Sequence, residues 1–227
     1  MSFDSDWEEN IYSKGLQINR YPAEAVIIVS ARYLNREKKK SEIKVLDLGC
    51  GAGNNTWFFA REGYQVFGID GSDTAIDYTK KRLESEGLHA ELQVGDISKV
   101  SEYFNEKFDL IVDRCVMNCM PFSSVQRTIP QLKQLLNQDG ILFSQFFCND
   151  HPDLQYGTPK EGEKYTWHNF TGGVFLGNWN FCCMDYEGIK ENFYPHFKPL
   201  SIEHLQSKNY EEGLPVISYW NLVLSNS

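Results

Sequence analysis

No long apolar run occurs in the sequence. The longest aliphatic stretch of the first expected helix, Val26 to Val29, falls far short of the roughly 18 apolar residues of a membrane span, so no membrane partner is expected. Basic residues are scarce: 22 Lys and Arg against 31 Asp and Glu leave a net charge of −9. Nucleic-acid binding needs a basic face, so that class of partner is excluded. The one basic run, Lys38-Lys39-Lys40, reads as a solvated helix end. The six cysteines show no C-x-x-C and no paired spacing, and the acidic start Met1 to Glu9 has no apolar core of a signal peptide. Free thiols in a reducing cytoplasm are therefore expected. No cluster of ligand residues accompanies His151-Pro152-Asp153, so no metal site is expected.

Against these absences stands one stretch that carries chemistry. Ile43 to Leu48 is mostly apolar, as a strand covered on both faces should be, and Gly49, Gly51 and Gly53 follow at alternate positions. Each glycine lets the backbone turn sharply and a ligand approach the main chain. Asn54, Asn55 and Thr56 are suited to cap a helix whose free N–H groups point at that ligand. No Gly-Lys-Ser/Thr follows, so the loop is not a P-loop. The dinucleotide fingerprint is matched imperfectly, because Asn54 stands where a third small residue belongs. Asp47 beside the loop would repel a pyrophosphate and attract a ligand bearing ammonium and sulfonium groups. Cys50, inside the loop, joins the candidate binding residues.

The chain continues in strand–helix alternation. A helix is expected from Tyr21-Pro22 to about Lys38, and another over Asn54 to Glu62. Gln65 to Asp70 reads as a second strand; Asp70 lies 21 residues after Gly49, near the spacing at which a carboxylate reaches a ribose diol. Gly71-Ser72 turns the chain, and Asp73 is the expected cap of a helix to about Ser85. Further strands are expected at Ala90–Val94, Phe108–Asp113 and Ile141–Phe147. Between the last two lie a helix over Ser124–Leu136, broken or kinked at Pro130, and a turn over Asn137–Gly140. A helix over Tyr186–Tyr194 and strands at Phe197–Gln206 and Val216–Ser225 close the chain. With 227 residues this makes a single α/β domain.

The block Asp47-x-Gly49-x-Gly51-x-Gly53, with acids at the ends of the next strands, resembles the class I S-adenosylmethionine (SAM)-dependent methyltransferases. Within that class the likeness is to small stand-alone enzymes such as the tellurite-resistance and ubiquinone-biosynthesis methyltransferases, and it covers the cofactor half only. The resemblance implies a seven-stranded, mostly parallel Rossmann-like sheet with helices on both faces and an antiparallel last strand. It implies SAM as methyl donor, with Asp96 accepting from the adenine amino group and Ile97 packing on the ring. Asp113 is a candidate for the methionyl ammonium and Arg20 for the methionyl carboxylate; Gly71 and Ser72 complete the expected set.

Residues 1–40 read as an N-terminal helical cap, and aromatic residues 148–183 as a lid inserted after the fifth strand. The expected acceptor is a small molecule bearing a hydroxyl, amine or thiol, and the expected state a monomer or homodimer. Methyl transfer is an in-line displacement from a good leaving group, so positioning does most of the work and no single catalytic residue is demanded. Arg114, His168 and His196 are the candidates for a direct role, and Arg114 is as well suited to a salt bridge with Asp113. A non-catalytic SAM-binding module and a nicotinamide oxidoreductase remain as alternatives.

Overall fold

The computed structural model describes residues 5, 7–34, 36–177, 179–207, 210–211 and 217–227. Val216, where the last strand was expected to begin, and positions 1–4, 6, 35 and 178 of the expected cap, first helix and lid lie outside them.

Five parallel strands carry the fold: β1 (Lys44–Leu48), β2 (Gln65–Asp70), β3 (Glu91–Val94), β4 (Phe108–Arg114) and β5 (Leu136–Phe147). Three short strands, β6 (Thr158–Pro159), β7 (Thr166–His168) and β8 (Phe181–Cys182), form a separate antiparallel sheet. The chain then returns as β9 (Lys198–Gln206) and β10 (Ser218–Ser225). The main sheet has the order β3-β2-β1-β4-β5-β10-β9, and β10 runs antiparallel to both its neighbours. Reversal between β2 and β4, which lie on either side of β1, opens a crevice beyond the strands' carboxyl ends, where ligands of such sheets bind.

Helices cover both faces because strand residues alternate between them. Val45, Leu110, Val112, Phe143 and Val223 pack toward α1 (Glu24–Tyr33), α2 (Asn54–Arg61) and α3 (Asp73–Ser85). Leu46, Leu48, Ile111, Phe146 and Leu222 pack toward α4 (Phe122–Leu135) and α5 (Tyr186–Phe193). In α4 the buried Phe122, Val125, Ile129 and Leu132 recur at helical spacing. Pro130 stands among the half-exposed positions, and the helix runs through it as one element, so of the expected break or kink the break does not occur.

Other boundaries are corrected too. The first helix begins at Glu24 and ends at Tyr33. Lys38 and Lys40 therefore lie beyond it and pair with Asp109 (2.8 Å) and Glu62 (2.5 Å) instead of capping a helix end. The expected turn over 137–140 is absorbed into β5, whose register against β4 shifts there and whose Asp139 has φ 63°. No helix among the described residues is long and apolar enough to cross a membrane.

The insertion has a core of its own: Leu154, Phe170, Phe175, Phe181 and Cys183 are buried together. It is also tied to the main domain. Glu163 accepts from the Ser123 N–H (2.9 Å) and hydroxyl (2.6 Å), and the Thr166 hydroxyl accepts from the Phe122 N–H (3.0 Å). The start of α4 is thus capped by residues 40 or more positions further on. Losing a cap costs about 1 kcal/mol. Glu163→Ala is therefore expected to lower the unfolding free energy by about that amount, read as a shift of the denaturant midpoint at unchanged slope.

Candidate cofactor site

At the end of β1 the chain turns through left-handed glycines, with φ of 62° at Gly49 and 53° at Gly51. A Cβ on Gly49 would come within 2.3 Å of Val116 Cγ1, and one on Gly51 within 2.6 Å of the Tyr12 hydroxyl. Both positions thus require glycine for backbone conformation and for space. Asp70, at the end of β2, is buried and turned into this loop: it accepts from the Gly51 N–H (2.8 Å) and the Ser72 N–H (2.9 Å). Each carboxylate oxygen keeps a lone pair beyond the one so used.

The expected capping residues do other work. Gly53 is the N-cap of α2 and makes no side-chain cap. The Asn54 amide donates to the Tyr21 carbonyl (3.1 Å), Asn55 accepts from the Ala23 N–H (3.1 Å), and Thr56 donates to Asp47 (2.6 Å). All three bind inward or sideways, fixing the approach to α1 and the strand below. In α3 the cap is Ser72, which accepts from the Ala75 N–H (2.9 Å), not Asp73.

Above the loop lies a cavity of about 90 Å³. Gly49, Asp70, Gly71, Gly95 and Ile97 line it from the strand ends, and Cys115, Val116, Cys119 and Met120 from the segment after β4. Trp7 and Tyr12 close it from the N-terminal side. Trp7 packs at a tilt against Tyr12 (ring centroids 6.2 Å apart) and against Trp179 of the insertion (5.5 Å). Glu8 accepts from the hydroxyls of Ser72 and Thr74 and from the Thr74 N–H, which fastens this segment to the start of α3. Those hydrogen bonds hold the Glu8 carboxyl below the usual carboxylate range. Burial beside Asp70 pushes the Tyr12 hydroxyl's pKa well up, so it stays a neutral donor.

The other acids expected at the ligand are placed differently. Asp47 is buried beneath the loop on Thr56, and burial pushes its carboxyl up to about 7. Asp113 is fully buried; it accepts from the Val116 and Met117 N–H groups (3.0 Å each) and from the Ser144 hydroxyl (2.5 Å). It shapes the segment after β4, and burial raises its carboxyl to about 6. Asp96 spends one oxygen on the Ser98 N–H (2.9 Å) and hydroxyl (2.8 Å), while its neighbours Gly95 and Ile97 reach the cavity. Cys50 is buried against Gly68, and all six cysteines are free thiols.

Arg20 is exposed, and its carbonyl accepts from Arg82; it is not among the described cavity-lining residues. Arg114 is exposed on the α1 side of the sheet and makes no ion pair with Asp113. His168 lies in β7 of the insertion. His196 stands where Lys133 of the last turn of α4 donates to its carbonyl, at the end of the sheet away from the cavity. Two features escaped sequence reading. Glu8 looked like one acid in an acidic tail. Cys148, Asp150 and His204 meet with ligand atoms within 4.8 Å of one another, although they lie 56 residues apart at the extremes. Asp150 and His204 both hydrogen-bond Ser218, an arrangement no local spacing signals.

A seven-stranded sheet with one reversed strand, a glycine loop after β1 and an acid closing β2 over a shared cavity define a nucleoside-cofactor fold of the methyltransferase type. A family model described as a methyltransferase domain matches residues 39–198, and the chain belongs to that family of SAM-dependent methyltransferases. It is 31% identical over 100 residues to the probable S-adenosyl-L-methionine-dependent methyltransferase TehB of Haemophilus influenzae, covering 44% of this chain and 34% of that protein. It is 29% identical over 122 residues to a ubiquinone biosynthesis O-methyltransferase of Coxiella burnetii, covering 54% and 51%. The chain thus spans about half or less of these curated relatives. The crystal structure of the PH0226 protein from Pyrococcus horikoshii shares the fold, with a TM-score of 0.67 at 20% identity over 98% of this chain and 99% of that one.

The raised carboxyl of Asp113 sets a pH dependence. Its folded form binds a proton more tightly than its unfolded form, so the stability it contributes is complete below about pH 4 and is lost as pH rises through about 6. Asp113→Asn keeps an oxygen for the two N–H groups and removes the titration. The stability of the wild type relative to this variant is expected to fall by about 3 kcal/mol between pH 4 and pH 7, measured by urea unfolding across that range.

Proposed function

We propose that the chain transfers a methyl group from SAM to a small-molecule acceptor, with the donor held in the cavity above the glycine loop. The observation that carries this reading is Asp70: a buried carboxylate, pre-bound by the Gly51 and Ser72 N–H groups, lining the cavity with both oxygens retaining acceptor capacity. Two adjacent ribose hydroxyls are the partner that such a group suits. The residues present fit the rest of the ligand. Gly49 and Gly51 let Val116 and the Tyr12 hydroxyl close directly on the loop, and Ile97 and Met120 offer apolar faces to a purine. Bound SAM supplies a methyl group on a sulfonium, and the chain's own residues orient donor and acceptor and exclude water.

The N-terminal segment and the insertion act in this reading as a joint cover. Trp7 and Tyr12 stand over the loop, Glu8 anchors them on α3, and Trp179 backs them from the insertion. A cavity of about 90 Å³ holds only a handful of waters, so a SAM-sized ligand enters with the cover displaced and is enclosed by its return.

Calorimetric titration with SAM, S-adenosylhomocysteine and NAD tests the assignment: the first two are expected to bind, and preference for NAD would overturn it. Asp70→Ala is expected to weaken SAM binding by about 10- to 100-fold, the range for hydrogen bonds to a charged group. Unchanged affinity would sink the ribose assignment. Glu8→Ala is expected to speed S-adenosylhomocysteine dissociation about tenfold, followed by stopped-flow tryptophan fluorescence. A rate equal to the wild type's would leave the latch without a role.

A further inference from the structure

A second hollow, about 480 Å³, lies between α1 and the sheet face formed by β4, β5, β10 and β9. It meets the cofactor cavity at Cys115, which lines both. Its floor is ordered by strand register. Arg114 pairs with Gln145, Gln145 with Asn221, and Asn221 with Glu203, so four polar side chains form one straight row across four strands. All four line the hollow. On one side of this row run Phe143 and Val223; on the other run Phe147, Tyr219 and Leu205.

A sheet face under a helix is ordinarily apolar, because unpaired polar groups are costly there. Here the row interrupts an apolar face, and it is built rather than incidental. Gln145 is 6% exposed, donates to Asn221 (2.9 Å), and accepts from the Cys115 thiol (3.3 Å). At strand spacing the row spans about 14 Å, which keeps Arg114 and Glu203 from neutralising each other. Among the described residues neither takes part in an ion pair. The cationic end lies beside the cofactor cavity. Amide groups follow, then a carboxylate, with aromatic faces alongside.

We propose that this hollow is the acceptor site and that the acceptor is a small polyhydroxylated anion. Its carboxylate or phosphate pairs with Arg114, its hydroxyls bond Gln145, Asn221 and Glu203, and its apolar ring face lies on Phe147 and Tyr219. The proposal rests on the methyltransferase reading for the word acceptor, but the recognition row stands on its own geometry.

The test is a titration of isotopically labelled protein, with and without S-adenosylhomocysteine. It follows the side-chain amide signals of Gln145 and Asn221, identified by their loss in Gln145→Ala and Asn221→Ala. The probes are glucuronate, glucose 6-phosphate and neutral glucose. The expected result is that at least one anionic sugar moves both signals at tenfold lower concentration than glucose, and that Arg114→Gln abolishes this preference. The responding probe tells carboxylate from phosphate. Equal responses to all three, no response to any at millimolar concentration, or a preference surviving in Arg114→Gln would overturn the proposal. S-adenosylhomocysteine affinity is measured beside it and is expected to stay within twofold in Arg114→Gln. Failure of the wild type to bind that ligand would count against the methyltransferase reading alone, since the amide shifts judge the hollow without it.

Discussion

The bond on which the site depends is that between the Asp70 carboxylate and the backbone of the glycine loop. One acid at the end of β2 reaches the Gly51 N–H on one side and the Ser72 N–H on the other. It thereby sets the loop after β1 and the turn into α3 against each other. Parallel strands alone bring their carboxyl ends together. The Cys50 N–H on the Ile69 carbonyl (3.0 Å) and the Thr79 hydroxyl on the Gly51 carbonyl (2.9 Å) hold the left-handed loop to the same neighbours. The same turn carries Ser72 and Thr74, on which Glu8 fastens the N-terminal cover. Loop, turn and cover are thus one hydrogen-bonded unit.

Burial divides the acids by role. Asp47 and Asp113 are both fully enclosed, and both hold the carboxyl ends of strands to the segments that follow. Asp70 is nearly as buried, yet it opens onto the cavity. An acid at a strand end is therefore no ligand group by position. Both Asp113 and Asp70 have each oxygen bonded to protein donors; what separates them is that Asp113 is sealed between β4, β5 and the segment after β4, whereas Asp70 lines the cavity.

Much of the fold was legible because strands covered on both faces read as continuous apolar runs, as at Val45–Leu48 and Leu110–Val112. The glycines were legible because their spacing is a backbone requirement, and Asp70 stands at the same loop because β2 ends beside β1. Caps and ends were not, because tertiary partners decide them. Thr56 was free in the sequence to cap α2 but found Asp47 instead. The helix expected across Tyr21–Lys38 is cut short where Leu34 turns into the core. The turn expected at Asn137–Gly140 is recruited into β5, where Asn226 from the chain's end bonds the Leu136 and Asn137 carbonyls. The row Arg114, Gln145, Asn221 and Glu203 is scattered between positions 114 and 221, and only sheet order makes it a row.

The capping of α4 by Glu163 and Thr166 bears on whether the insertion can be exchanged. A helix of the main domain is finished by residues of the insertion. Exchanging the insertion for a foreign one would therefore not be a clean graft, because the incoming segment must bring its own acceptors for the Phe122 and Ser123 N–H groups. The insertion is exchangeable as a module only together with the first turn of α4.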